Sequence, residues 1–124
     1  MPTYIVKPVR DRDEYVVWST VVDAPTAVGT RAELGPVLLE MYGYEAGDPA
    51  RFDRADERGT SAHGPWFGWN EDEFPLGNMH WDPGPASYQV RRANLAAYAR
   101  ADLAEDTAAC LALAELYDDG SDDA

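Results

Sequence analysis

Residues 66–81 hold the densest mixture of aromatic and acidic side chains in the sequence. Aromatic residues are followed by three consecutive acids and then by further aromatics. Rings framed by carboxylates suit the binding of a basic protein surface, because apolar burial contributes affinity while charge contributes steering. The alternative is that the rings fill the core and the acids face water. The candidate partner-binding residues are Trp66, Phe67, Trp69, Glu71, Asp72, Glu73, Phe74 and Trp81.

The same region contains the only two histidines, His63 and His80. Either could act as an acid or a base in a small-molecule pocket built around residues 63–81, and this is the alternative function. Neither has a short metal-ligand spacing, and the sequence contains no nucleophile elbow, phosphate-binding loop or dinucleotide-binding motif. We therefore predict no catalytic residue, no cofactor and no metal, and favour a protein that is not an enzyme.

The charge balance restricts the class of partner. Ten basic residues stand against 23 acids, which gives a formal net charge of −13. Such a surface repels the phosphates of nucleic acids and anionic membranes and attracts basic protein surfaces. We expect a basic surface of a protein as partner, no direct nucleic-acid binding and no membrane binding, with the oligomeric state left open. The bias toward Arg and Ala is also typical of GC-rich codons, which can produce acidic proteins without a binding role.

The location and the single cysteine are interpreted together. The first residues lack the charged and apolar regions of a secretory signal, and one cysteine cannot form an internal disulfide. Both features favour a cytoplasmic protein. Cys110 lies in a stretch rich in Ala and Leu with no Lys or His beside it, which favours packing in the core over nucleophilic chemistry.

In the first half of the chain, β-branched and aromatic residues predict two antiparallel strands at residues 3–9 and 14–23. Residues 24–29 are interpreted as a connection. Thr30 and Glu33 have the spacing of a helix capping box, and an apolar stripe follows, formed by Leu34, Val37, Leu38 and Met41. Gly43 is expected to end this helix. Pro36 predicts either a kink in it or a helix that begins only at Pro36.

In the rest of the chain the sequence pattern predicts short strands and C-terminal helices. Short strands are expected at residues 51–56 and 66–69. Ser87 is a candidate N-cap for a helix over about residues 88–100, and a second helix is expected from Asp102 or Asp106 to Tyr117, with one long helix as the rival.

Together these elements predict an α+β fold. It consists of a small antiparallel sheet of three to four strands, one helix after the first hairpin and two C-terminal helices. The expected organisation is a single domain over residues 1–117 and an acidic flexible tail over residues 118–124.

One resemblance adds context. Residues 15–33, together with residues 54–56 and 59–61, resemble a group of small acidic proteins of actinobacteria and the phages that infect them. The resemblance covers residues 4–61 well and the remainder loosely. It implies a small accessory protein of an actinobacterium or of one of its phages that acts on a host protein, and it implies no catalytic residue. A sharper form of this expectation is DNA mimicry, in which carboxylates imitate phosphates in the basic channel of a nucleic-acid-binding protein.

Overall fold

The computed structural model describes residues 3–19, 24–42, 49–62, 67–76 and 88–116. Within these residues the protein is α+β, with two three-stranded antiparallel sheets and four α-helices. In chain order the elements are β1 (Thr3–Val6), β2 (Tyr15–Ser19), β3 (Ala24–Gly29), α1 (Arg31–Tyr42), α2 (Pro49–Arg58), β4 (Glu73–Leu76), β5 (Tyr88–Arg91), a 3-10 turn (Arg92–Asn94), α3 (Leu95–Leu103), α4 (Thr107–Leu113) and β6 (Ala114–Leu116).

The first sheet is a meander in the order β1-β2-β3. The predicted hairpin is confirmed, with Val6 opposite Val16. The interpretation of residues 24–29 as a connection is wrong, because they form β3, in which Val28 lies opposite Val16. The register shifts between Val17 and Trp18, opposite the segment that holds Pro25. A bulge at this point is a common way to accommodate proline in a strand.

Helix α1 begins as the sequence predicts. The Thr30 amide donates to Glu33 Oε1 at 2.9 Å, and the Glu33 amide donates to Thr30 Oγ1 at 3.2 Å, which is the reciprocal capping box. The helix runs from Arg31 to Tyr42 with Pro36 inside it, so a start at Pro36 is wrong. Of the predicted stripe only Leu34 and Leu38 are buried. Gly43 lies outside the described residues.

Residues 51–56 belong to helix α2, and the predicted strand there is wrong. Phe52 and Ala55 are the buried residues of α2, and their spacing of three is that of one helix face rather than of alternation along a strand. The helix ends at Arg58, and Gly59 follows it with a φ of +89°, which few other residues adopt.

The described residues form a second sheet, in the order β4-β5-β6, whereas the sequence predicts a single sheet of three to four strands. Residues 67–70 form a turn rather than a strand, and β4 begins at Glu73. Residues 88–91 form a strand where a helix was predicted, so α3 begins only at Leu95. Two helices rather than one are confirmed: the Asp106 side chain caps α4 by accepting from the Ala109 amide at 3.2 Å.

Both faces of the first sheet are buried because neighbouring residues of a strand point to opposite sides. On one side Val17 packs with residues of α1 and α2, including Leu34 and Phe52. On the other, Trp18 packs with residues of the second sheet and α3, in a cluster that also contains Phe74, Val90, Leu95, Tyr98 and Cys110. Cys110 is fully buried, and burial raises the pKa of its thiol to about 11, which confirms it as a core residue.

No helix in the described part of the chain is long and apolar enough to cross a membrane. The predicted tail, residues 118–124, lies outside the described residues.

Candidate binding surface on the loop of residues 67–73

A buried arginine holds the loop that precedes β4. Arg92 is 5% exposed, and its guanidinium donates to backbone carbonyl oxygens from three separate stretches of the chain. Nη2 donates to Lys7 at 2.7 Å and to Gly59 at 2.8 Å. The remaining acceptors are the carbonyl oxygens of Pro8 at 3.3 Å, Phe67 at 2.9 Å, Gly68 at 2.7 Å and Glu71 at 3.1 Å. We call Arg92 with these six carbonyl groups the arginine hub.

The hub fixes the loop because a guanidinium presents several donors in one rigid plane. The backbone amide of Arg92 adds a further bond, to the Asp72 carbonyl oxygen at 2.6 Å. Burial lowers the pKa of Arg92 to about 10, so its charge is retained at neutral pH. Arg91, the last residue of β5, is exposed, whereas Arg92, the first residue of the 3-10 turn, is buried.

Trp69 and Gly59 pack against the hub. The Arg10 and Arg92 guanidinium carbons lie over the Trp69 ring, 4.3 and 4.7 Å from its centre, and the indole N–H donates to the Glu57 carbonyl oxygen at 2.9 Å. A Cβ on Gly59 would lie 2.5 Å from Arg92 Nη2 and 2.9 Å from Trp69 Cδ2. Only glycine fits here, both for its φ and for the space available.

Two of the candidate aromatic residues belong to the core. Phe74 is 1% exposed, and Phe67 is partly buried and stacks on Phe74 with ring centres 5.3 Å apart. Both rings also contact Trp18. The Phe74 ring is therefore unavailable to a partner, and its assignment as a contact residue is corrected: in strand β4 the alternation buries Phe74 and Leu76 and exposes Glu73.

The three consecutive acids of the loop all face solvent. Glu71, Asp72 and Glu73 are exposed, and the Glu71 carboxylate accepts from the amide of Phe67, a residue with a positive φ of 65°. Arg91 lies among the neighbouring carboxylates, 3.6 Å from Glu73, 3.8 Å from Asp72 and 3.1 Å from Glu115. We call Glu71, Asp72, Glu73 and Glu115 the acidic rim.

The acidic rim keeps most of its charge. Three carboxylates, those of Asp72, Glu73 and Glu115, lie within 4 Å of the Arg91 guanidinium, and the side chains of Asp72 and Glu73 remain 68% and 47% exposed. The hydrogen bond with Glu115 raises the pKa of Arg91, so this residue stays charged. The acidic rim is therefore a negatively charged surface on strands β4 and β6 and on the loop that Arg92 holds in place. It can steer and orient a positively charged surface of a partner.

Four residues that the sequence singled out lie outside the described residues: Trp66, Trp81, His63 and His80. The described members of the set are neighbours in space as well as in sequence, but they divide into rings that face inward and carboxylates that face outward. Within the described residues no group of three or more His, Cys, Asp or Glu side chains is arranged to hold a metal ion.

A second polar cluster, missed by the sequence analysis, joins α2 to the first sheet. Asp56 Oδ1 accepts from Lys7 Nζ at 2.8 Å and from the Tyr15 hydroxyl at 2.5 Å, and Arg31 Nη1 lies 3.4 Å from Asp56 Oδ2. We call these four residues the Asp56 cluster. The one signal in the sequence was the only lysine of the chain, Lys7, within a predicted strand; its side chain is 11% exposed, and that of its partner Asp56 is 38% exposed.

Burial sets the pKa values in this cluster together with the shared hydrogen bonds. Burial raises the pKa of Tyr15, and the bond to Asp56 raises it further. Burial also pushes the pKa of Asp56 upward, but the bonds from Lys7 and Tyr15 and the nearby positive charges outweigh it, so the pKa of Asp56 is lowered. Each donor is paired with an acceptor, which makes this cluster a structural tie rather than a reaction centre.

Comparison with known proteins finds no matching family, no matching curated protein and no matching solved structure.

Proposed function

We propose that this protein is a non-enzymatic modulator that binds the basic surface of a partner protein through its acidic rim. The observation that carries the proposal is the exposure of three consecutive carboxylates, Glu71 to Glu73, on a backbone that buried Arg92 holds in place. A preorganised charged surface loses little conformational entropy when it binds.

In this proposal the buried rings and the exposed carboxylates have different roles. The rings of Phe67 and Phe74 support the loop from below, and the carboxylates supply the contact. Trp69 is partly exposed at the border between the two groups. The contact is thus mainly electrostatic, and its affinity falls steeply with salt because both binding surfaces release counterions.

The test compares two variants that remove the same charge. Asp72→Asn with Glu73→Gln neutralises part of the acidic rim, whereas Asp11→Asn with Glu40→Gln neutralises two exposed acids elsewhere. Each protein is immobilised, exposed to cell lysate at low and at physiological salt, and the captured proteins are quantified by mass spectrometry. We expect a basic protein to be retained by the wild type and the control variant and lost by the rim variant.

Three further results decide whether the proposal holds and in which form. Release of the captured protein by a DNA duplex would support DNA mimicry, because both ligands would then compete for one basic channel. Equal capture by the rim variant and the wild type would contradict binding through Glu71–Glu73. Capture that does not change between low and high salt would exclude an electrostatic contact.

A further inference from the structure

A short segment of the same chain closes the edge of β1 that faces away from β2. Thr60 lies opposite Val6 in an isolated antiparallel bridge. Next to this bridge the Lys7 amide donates to the Gly59 carbonyl oxygen at 2.9 Å. We call residues 59–61 the edge strap, because they run beside β1 without forming a strand of their own.

Ser61 makes two hydrogen bonds to Ile5, on the other side of the bridge. Its amide donates to the Ile5 carbonyl oxygen at 2.8 Å, and its hydroxyl oxygen accepts from the Ile5 amide at 2.8 Å. Arg54 Nε donates to the Ser61 carbonyl oxygen at 2.8 Å. Thr60 and Ser61 are 1% and 3% exposed. The strap is therefore buried, and the polar groups of Ser61 are paired, as buried polar groups in stable structures are.

Two arginines complete the closure of the edge. Arg51 Nη2 donates to the Thr3 carbonyl oxygen at 2.6 Å. Arg92 Nη2 donates both to the Lys7 carbonyl oxygen, at 2.7 Å, and to the Gly59 carbonyl oxygen of the strap, at 2.8 Å. From the Thr3 carbonyl to the Lys7 carbonyl, each backbone group on this edge of β1 thus has a partner.

An open β1 edge would be a template for pairing with another chain. Residues 3–6 and 15–19 carry no charged side chain and are mostly β-branched or aromatic. Segments of this kind pair with one another when their backbone groups are unpaired. The other outer strand of the sheet, β3, contains Pro25, which lacks the N–H group that such pairing needs. The two edges of the first sheet are therefore closed by different means.

We propose that the edge strap keeps β1 from pairing with β1 of a second copy of the chain, and that opening the strap starts this pairing. Two antiparallel copies of one strand pair symmetrically, so each can satisfy the backbone groups that the strap satisfies in the single chain. The net charge of −13 opposes association, and salt screens that repulsion. The inference goes beyond the proposed function, because it concerns a different surface and predicts the opposite salt dependence.

The first test measures the strap in the folded chain. Ser61→Ala removes the acceptor of the Ile5 amide and leaves the backbone of the strap in place. Hydrogen exchange followed by NMR reads each amide separately. We expect the Ile5 amide to exchange about tenfold faster in the variant and the Val16 amide, in the central strand, to keep its wild-type rate. Equal acceleration of both amides would contradict a local opening.

The second test measures association. Ser61→Pro also removes the N–H group that pairs with the Ile5 carbonyl oxygen. In sedimentation at about 500 mM salt we expect this variant to form dimers or larger species that the wild type does not form, and to form fewer of them at about 50 mM salt. Leu95→Ala is the control, because it creates a cavity at a fully buried residue of α3 and leaves the strap intact. At an equal fraction of folded protein it should not associate.

Hydrogen exchange within the associated species locates the contact. The Ile5 and Lys7 amides should become slow again, because they then donate to the second copy. Association in which both amides stay fast would place the contact elsewhere and overturn the inference. Equal association of Leu95→Ala would overturn it as well, since unfolding rather than the open edge would then be the cause.

Two further comparisons keep the outcome decisive. A Ser61→Pro chain that stays monomeric at about 500 mM salt although its Ile5 amide exchanges fast would contradict the proposed pairing. If Ser61→Pro does not fold, Ser61→Ala is sedimented in its place, with the same expectation and the same contradicting result. Adding Asp72→Asn and Glu73→Gln to the strap variant should leave the exchange of the Ile5 amide unchanged, so failure of the strap inference and failure of binding through the acidic rim are separate results.

Discussion

The arginine hub and the Asp56 cluster each contain a buried, positively charged side chain, but the acceptors that hold it differ. Arg92 and Lys7 are both buried cations, 5% and 9% exposed. Within the described residues the Arg92 guanidinium donates to six uncharged carbonyl oxygens, whereas Lys7 donates to the carboxylate of Asp56. Carbonyl groups do not titrate and carboxylates do. The contacts of Arg92 therefore do not depend on pH near neutrality, whereas Lys7 is held by a carboxylate that loses its charge in acid.

The hub also joins more of the chain than the cluster does. Its acceptors come from the segment after β1, the end of α2 and the loop before β4, and Arg92 itself follows β5. The Asp56 cluster ties α2 to β2, to the segment after β1 and to the first residue of α1. Loss of the hub should therefore release the loop that carries the acidic rim, whereas loss of the cluster should leave that loop in place.

The largest expected effect comes from Arg92→Met, which keeps a long apolar side chain and deletes every donor. Carbonyl oxygens left buried and unpaired should lower the free energy of unfolding by about 4 kcal/mol. Urea denaturation measures the loss. The matched control is Arg91→Met, at the exposed neighbour, which should change stability by less than about 1 kcal/mol. Similar losses for the two variants would contradict the assignment of Arg92 as the hub.

A smaller loss is expected from Asp56→Asn. The amide removes the negative charge that pairs with Lys7 and leaves the hydrogen bonds with Lys7 and Tyr15 weakened, at a cost of about 2 kcal/mol. Asp53→Asn is the control, because Asp53 also pairs with Arg31 but its side chain is 69% exposed, and it should cost under about 1 kcal/mol. If both variants unfold at the same urea concentration, the cluster does not tie α2 to the sheet.

The two regions should also differ in pH dependence. The pKa of Asp56 is lowered from 3.8 in the folded chain, so its contribution is complete above that value and is lost as the pH falls through the folded pKa. The stability difference between wild type and Asp56→Asn should therefore stay constant from about pH 7 to about pH 5 and shrink as the pH falls further toward about pH 2. The difference between wild type and Arg92→Met should stay constant over this window, because Arg92 titrates only near pH 10. A parallel decline of both differences would mean that Arg92 also depends on a carboxylate.

Local signals in the sequence were sufficient for some elements. The capping box of Thr30 and Glu33 forms as predicted because both partners lie within one helical turn. The first hairpin and the separation of the two C-terminal helices depend on similarly local patterns. Residues 24–29 and 88–91 were misassigned because their partners are distant: β3 and β5 exist by pairing with strands whose position the local sequence does not specify.

The features of the candidate site also divide into those that local sequence predicts and those that depend on distant parts of the chain. The exposed acids at 71–73 could be read from composition, since most carboxylates stay solvated. The burial of Phe74 and Arg92 could not be predicted from composition. It depends on the strand register of the second sheet, and the registers of β4 and β5 were not predicted. The acceptors of Arg92 are backbone groups, which carry no residue-type signal at all. The hub is therefore a feature that only three-dimensional structure reveals.

The smallest expected effect tests what the ring of Trp69 adds to the hub. Trp69→Phe keeps an aromatic face for Arg10 and Arg92 but loses the N–H bond to the Glu57 carbonyl oxygen, and it should cost about 1 kcal/mol. Trp69→Leu also loses the cation–π contacts and should cost about 1 kcal/mol more. Urea denaturation of the pair separates the two contributions. A loss from Trp69→Leu as large as that from Arg92→Met would reverse the comparison, because the aromatic face rather than the carbonyl oxygens would then stabilise the buried guanidinium.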